Sequence, residues 1–237
     1  MRLSVEYKLK EPFLPKDYRS GFMSLIKEAI AKSTKPELKE DYYDKHTLKP
    51  FTFSTYFPEM RGNAGENFEV GTKVKLNFST SSVELATHLY NGFLKLRSFP
   101  IFQNTLYFER VTQRRQEKIR SEEVVFKTAS PILVSNLGRS NWFLLPEQEG
   151  FLEGLKFAVS EISKEFLRRT LEVNLEFTPV SIKKKVIRHY GMDRSSFTGI
   201  FRLKSDVEIL QLIYDVGLGV RRNQGFGMLE VVKQEGV

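Results

Sequence analysis

The chain of 237 residues has no cysteine and only three histidines. The first absence excludes a disulfide framework, a thiolate metal site and a cysteine nucleophile, and it fits a reducing compartment. His46, His88 and His189 are too scattered to give a metal-ligand spacing, so no structural or catalytic metal is expected, and no cofactor. Long apolar runs are also missing. No stretch approaches the length of a membrane span, and Met1-Arg2-Leu3-Ser4-Val5-Glu6 alternates where a signal peptide would run apolar. The expectation is a soluble cytoplasmic protein with no membrane partner. Core material is ample, at 41% hydrophobic residues with 20 Phe.

Acidic residues are in short supply, 29 against 37 Lys plus Arg, for a formal net charge of +8. Two windows hold the excess. Residues 97–120, with Arg97, Arg110, Arg114, Arg115, Lys118 and Arg120, are net +4; residues 181–204, with Lys183, Lys184, Lys185, Arg188, Arg194, Arg202 and Lys204, are net +6. The remainder is slightly acidic, so the basicity is local, and a polyanionic partner would meet it at defined places. The first window either lines a cleft between two halves or forms a solvated linker. The second sits in an extended region, where lysines also protect a sheet edge.

The periodicities give an order of elements. Leu3, Val5, Tyr7 and Leu9 alternate as a strand, and Phe22, Leu25, Ile26, Ala29 and Ile30 recur at helical spacing over about 17–33. Phe51, Phe53 and Phe57 share a strand face. A loop with Gly62 and Gly65 then leads to a strand at Val74-Leu76-Phe78 that pairs with the first as a hairpin. Ser81 with Glu84 reads as a capping box opening a second helix, and a strand follows over 102–111. The second half repeats the order. It gives a strand at 124–127, a helix through Leu152–Phe166, an alternating strand at Leu171–Phe177, and extended segments near 182–190 and 197–203. A helix opened by Ser205 and Glu208 and a last strand near Met228–Val232 complete it. The expectation is an α+β chain of two tandem ferredoxin-like β-α-β-β-α-β domains, 1–120 and 121–237.

The most specific run is Gly217-Leu218-Gly219-Val220-Arg221-Arg222-Asn223-Gln224-Gly225-Phe226-Gly227. Four glycines bracket a basic polar centre and allow close backbone approach, so exposed amides with two arginines would suit a phosphate chain. A plain glycine-rich turn is the alternative. The dinucleotide fingerprint fits poorly, because it follows a strand and opens a helix, whereas this run follows a helix and leads to a strand. A second notable segment is His46-Thr47-Leu48-Lys49-Pro50-Phe51-Thr52-Phe53-Ser54. Its histidine sits among Asp44, Lys45 and Lys49 in a polar loop, with an ordinary pKa near neutrality that suits proton transfer in either direction.

These two runs resemble the CRISPR-associated repeat-processing endoribonucleases of the repeat-associated mysterious protein superfamily, which are built from tandem ferredoxin-like domains. Members commonly carry a catalytic histidine just after the first helix, followed by a Lys-x-Phe-Thr-like strand opening. The resemblance implies metal-independent RNA cleavage, in which the 2′-hydroxyl attacks the phosphorus and the 5′-oxygen leaves. It makes His46 the candidate acid or base and Lys49 the candidate charge stabiliser. Some relatives place a tyrosine late in the first helix. Here Lys27 stands there, leaving Lys27, Tyr42 or Tyr43 for the third role.

The resemblance also implies an RNA face of Lys183, Lys184, Lys185, Arg188 and Arg194 with the loop residues Gly217, Gly219, Arg221, Arg222, Asn223, Gln224, Gly225 and Gly227. The expected partner is CRISPR repeat RNA. A homodimer and CRISPR effector subunits are compatible with it, and a non-catalytic repeat-binding subunit is the alternative function. His88 reads as a helix residue, and His189 as an RNA contact in the basic hairpin.

Overall fold

The computed structural model describes residues 1–33, 35, 37, 39, 40, 42, 47–168 and 173–236. The first half comprises β1 (Arg2–Leu9), β2 (Phe13–Pro15), α1 (Arg19–Ala31), β3 (Phe51–Tyr56), β4 (Gly62–Ala64), β5 (Asn67–Glu69), β6 (Lys73–Thr80), α2 (Val83–Lys95), β7 (Ser98–Ile101) and β8 (Asn104–Arg114). Its main sheet is antiparallel in the order β3-β6-β1-β8-β7. The second half comprises β9 (Glu123–Thr128), β10 (Val134–Ser135), β11 (Phe143–Leu144), α3 (Phe151–Leu167), β12 (Glu176–His189), β13 (Met192–Lys204), α4 (Val207–Val216), a 3-10 turn (Arg222–Gln224) and β14 (Leu229–Gln234). Its sheet runs β12-β13-β9-β14.

In each half the first strand, β1 or β9, lies inside the sheet, with the β3/β6 or β12/β13 pair on one side and the last long strand, β8 or β14, on the other. That is the ferredoxin-like arrangement expected from the element order. Strand alternation puts Leu3, Val5, Phe53, Leu76 and Phe78 under α1 and α2, and Val124, Phe126, Phe197, Phe201 and Leu203 under α3 and α4; all are fully buried.

Several local expectations change. The loop with Gly62 and Gly65 forms β4 and β5, which join β2 in a small sheet, β2-β5-β4. The cap of α2 is Ser82, not Ser81: its Oγ accepts from the Leu85 amide at 3.1 Å. At α4 the cap position falls to Asp206 without a side-chain bond, and the Ser205 hydroxyl is buried with no partner. The strand expected at Leu171–Phe177 and the segment at 182–190 are not separate. Residues 171 and 172 lie outside the described set, and β12 runs unbroken from Glu176 through Pro179 to His189, shifting register between Pro179 and Ser181. Proline is tolerated there because β12 is an edge strand, where a missing amide hydrogen need cost no ladder bond.

Polar side chains fasten the two halves together. Arg2, 1% exposed, donates through Nη2 to the carbonyls of Tyr214 (2.9 Å) and Leu229 (2.5 Å), and its Nη1 lies 3.0 Å from Glu230 Oε2. Its guanidinium sits 3.8 Å above the Tyr214 ring. Ser79 donates to the Asp215 carbonyl at 2.8 Å and Thr52 to the Phe226 carbonyl at 2.7 Å. Tyr214 and Asp215 stand in the last turn of α4, whose carbonyls have no partner within the helix, so Arg2 and Ser79 serve there as caps.

Candidate functional site

The glycine-rich run is a folded wedge. All four glycines have positive φ, from +75° to +93°. A side chain at Gly227 would put its Cβ 2.0 Å from the Leu218 carbonyl oxygen, and one at Gly219 would stand 2.3 Å from that of Leu133. The Leu218 amide donates to Gly227 O at 2.9 Å, the Gly227 amide to Pro131 O at 2.8 Å and the Val220 amide to Leu133 O at 2.9 Å. The amides of Gly217 and Gly225 are also engaged, on Ile213 O and Arg222 O. The amides of Gly217, Leu218, Val220, Gly225 and Gly227 are thus engaged within the fold and not offered as a cradle. The glycines let the chain fold against itself and against β3, where Gly225 packs on Phe53.

The polar centre of the run splits in two. Arg222 points inward, 5% exposed, and donates to the Val216 carbonyl at 2.7 Å. Burial pushes its pKa down to about 10, so it stays charged at neutral pH. It is not presented to a phosphate in solvent. Arg221 is half-buried, with φ of +57°, and its Nη2 donates to Asn141 Oδ1 at 3.0 Å. Burial and the neighbouring Arg194 lower its pKa. Asn223 and Gln224 are half-buried, and Gln224 Oε1 lies 2.9 Å from His189 Nε2.

The basic hairpin β12–β13 borders this wedge. Lys183, Lys184, Lys185 and Arg188 are exposed. Lys184 pairs with Glu147, and Arg188 lies 3.2 Å from Asp193. Strand alternation sends Lys183 and Lys185 to one face, opposite Thr198 and Ser196 of β13. Lys185 and Arg188 overlook a cleft of about 650 Å³ whose other wall includes Lys16, Arg19 and Asn63 of the first half. Arg194 turns inward, 3% exposed, with its guanidinium 5.2 Å from the Phe143 ring.

His189 is fully buried, not displayed to a ligand as the sequence suggested. Its Nδ1 is 3.3 Å from Asp17 Oδ1, and Phe226 and Tyr190 pack on its ring. Burial lowers its pKa against the opposing pull of Gln224 and Asp17. Sequence reasoning missed Asp17, which also accepts from the Gly191 amide at the hairpin tip, 3.3 Å away. In sequence it stood only at the expected start of the first helix, over about 17–33.

At the other candidate locus, His46, Tyr43, Asp44 and Lys45 lie outside the described residues. Lys49 is half-buried, its Nζ 3.5 Å from Thr47 Oγ1, and burial lowers its pKa. Tyr42 packs against the first core, Lys27 is half-buried on α1 and His88 half-buried on α2. A cavity of about 880 Å³ opens where Tyr42, Thr47, Leu48 and Pro50 meet Lys118, Gln211 and Leu212 of the second half. In the first basic window, Arg110 makes a two-pronged pair with Glu6 (2.8 and 3.0 Å), and Arg114 donates to Glu230 at 2.9 Å across the seam. These two stand on β8, not in a linker. Among the described residues no three His, Asp or Glu side chains cluster as a metal site, and no helix is long and apolar enough to cross a membrane.

Comparison with known proteins bears on both halves. The family model CRISPR associated protein Cas6, C-terminal, matches residues 113–231, which include the hairpin and the glycine-rich wedge. The chain is 25% identical over 238 residues to the CRISPR-associated endoribonuclease Cas6 of Pyrococcus furiosus, covering 98% of this chain and 88% of that protein. It is 23% identical over 243 residues to a CRISPR-associated endoribonuclease Cas6 of Methanocaldococcus jannaschii, covering 99% and 94%. Among solved structures, a protein from a Cas6-related gene of Pyrococcus furiosus superposes with a TM-score of 0.87 at 20% identity, covering 99% of both chains. A protein described as an RAMP protein binding different RNA substrates gives 0.84 at 21%, covering 98% of this chain and all of that one. The structural likenesses speak for the fold, and the matched model spans half the chain. The chain belongs to the Cas6 family of CRISPR-associated proteins.

Proposed function

We propose that this chain is an endoribonuclease that cuts CRISPR precursor transcripts within their repeats, yielding mature guide RNAs. The observation that carries the reading is near full-length similarity to two proteins named as CRISPR-associated endoribonucleases. Residues 1–120 would hold the reacting groups and 121–237 most of the basic RNA face. The chemistry needs no metal. A base removes the 2′-hydroxyl proton, the 2′-oxygen bonds to phosphorus, the P–O5′ bond breaks and an acid protonates the leaving oxygen, giving a 2′,3′-cyclic phosphate and a 5′-hydroxyl. His46 serves as acid or base, a role worth roughly 10² to 10⁴ in rate. Lys49 stabilises the phosphorane charge, with Lys27, Tyr42 or Tyr43 as the third participant.

The test is incubation of repeat RNA with EDTA and either wild type or His46→Ala. Cleavage by wild type and its collapse in the variant are expected. No cleavage by wild type overturns the enzyme reading in favour of a repeat-binding subunit, the alternative favoured by Lys27 standing where the resemblance expects tyrosine. Undiminished cleavage by the variant removes only His46 from its role.

A further inference from the structure

The 880 Å³ cavity in the seam is lined by no residue of the β12–β13 hairpin or the glycine-rich wedge. Along α4, Glu208, Gln211, Leu212 and Asp215 recur at helical spacing, so one face of that helix forms its wall. Thr47 and Leu48 of the first half also line it, and in sequence they stand between His46 and Lys49. Asp215 is the deepest acid in this wall, 9% exposed. Its Oδ1 accepts from Gln116 Nε2 and, at 3.2 Å, from Gln211 Nε2. Gln211 is itself held by the Ile119 amide, which donates to its Oε1 at 2.8 Å, and the Asp215 backbone is pinned by Ser79. Among the described residues nothing donates to Oδ2. A carboxylate taken out of water needs donors on both oxygens, and here one oxygen goes without. Burial raises the pKa of Asp215, while the N-terminal amine, Gln116, Gln211 and Arg2 oppose the rise and favour the ionised form.

We propose that this cavity receives the base of a nucleotide flanking the scissile phosphate, and that Asp215 selects a base carrying an exocyclic amino group. The amino group supplies the N–H that Oδ2 lacks, whereas a uracil carbonyl would turn its lone pairs on the carboxylate. A phosphate is the wrong occupant, because Glu165, Glu208 and Asp215 outnumber Lys118 and Arg168 in the lining. A base is flat and uncharged. The rings of Tyr42 and Phe166, with Leu48 and Leu212, give it apolar walls, and the volume lies within the roughly 300–1,000 Å³ of ordinary ligand pockets. Gln116 and Gln211 act through Asp215 as positioning residues. The site rests on the RNA-cutting reading and adds to it a specificity-determining residue contributed by the second half.

The test measures kcat/KM of the full chain on repeat RNAs in which each nucleotide flanking the cut is in turn G, A, C or U. At one of those positions uridine should cost wild type about tenfold or more, and the other position should be tolerant. At the sensitive position, inosine in place of guanosine, or purine riboside in place of adenosine, deletes only the amino group and should cost a similar factor. In Asp215→Asn the side-chain oxygen can still accept from the two glutamines, and an NH2 group replaces Oδ2. Its preference for an amino-bearing base over uridine should fall about tenfold or reverse, a change that mere loosening of the seam would not produce. If wild type cuts all the RNAs equally well, or Asp215→Asn keeps the wild-type preference, the base site is wrong and the endoribonuclease stands. The analogue series needs only wild type, so it decides the matter without the variant. Failure of wild type to cut any repeat RNA overturns the endoribonuclease, and the base site with it.

Discussion

Arg222 of the glycine-rich wedge is 5% exposed and spends its guanidinium on a backbone carbonyl, whereas Lys183 and Lys185 of the β12–β13 hairpin stand in solvent. Both stretches look alike in sequence, basic and flanked by turn residues. The wedge is packed between β3 and the loop before β10, and its charge is absorbed by the fold. The hairpin projects from a sheet edge, and although Lys184 pairs with Glu147 and Arg188 with Asp193, the charges of Lys183 and Lys185 stand outside those pairs in solvent. Local basicity therefore identifies a candidate polyanion surface only when the backbone carrying it is not itself needed to fill a seam.

The strongest way to break this contrast is at the glycines. In Gly227→Ala the new Cβ would strike the Leu218 carbonyl oxygen from 2.0 Å, at φ of +75°, within the pair of residues already joined by the Leu218 amide. We expect a loss of about 3 kcal/mol or more in urea unfolding. Gly191→Ala at the hairpin tip has a similar φ of +71° and nothing within 4 Å, so only the left-handed backbone is penalised, about 1 kcal/mol. Equal losses at the two sites would mean that the wedge relaxes and is not a packed seam.

The same contrast explains how much was legible in advance. Element order was readable because strand alternation in Leu3-Val5-Tyr7 and helical spacing in Phe22-Leu25-Ile26 are local signals. The glycine spacing was also visible, but its cause was not. The atoms that forbid a side chain at Gly219 and Gly225 belong to Leu133 and Phe53, 86 and 172 positions away. Ser82 displaced Ser81 as the cap of α2 by one residue, a shift that backbone geometry decides and composition does not. The role of Arg2 was not legible, because nothing near it in sequence announces Tyr214, Leu229 or Glu230. Lys49 was found through a resemblance, and the sequence alone carries no sign of the burial that lowers its pKa.

A smaller effect probes the joint between the two regions. His189 at the end of β12 faces Asp17, Arg19, Gln224, Tyr190 and Phe226, and burial holds its pKa below the ordinary 6.5. As pH falls through 6.5, the unfolded imidazole takes up a proton that the folded one refuses. Stability contributed by the neutral ring is therefore full above pH 6.5, falls as the solution is acidified and levels off once the folded pKa is passed. Urea midpoints at pH 7.5 and 5 should show an acid loss in wild type that is missing in His189→Gln, whose baseline is lower at both values. Parallel acid losses in the two proteins would show that the hairpin is not tied to the first half through a neutral histidine.

The exposed lysines give the smallest change in stability. Lys183 and Lys185 share one strand face, and neither is in an ion pair among the described residues. Removing both as Lys183→Ala with Lys185→Ala should leave the urea midpoint within about 0.5 kcal/mol of wild type. If the hairpin serves as the RNA face, the same double variant should weaken binding of uncleavable repeat RNA several-fold and flatten the salt dependence by about 0.7 for each phosphate no longer neutralised. An unchanged slope with unchanged stability would reduce these lysines to edge protection. A large drop in stability would instead show that the hairpin's charge, like that of Arg222, is part of the packing, and the contrast between the two basic regions would fail.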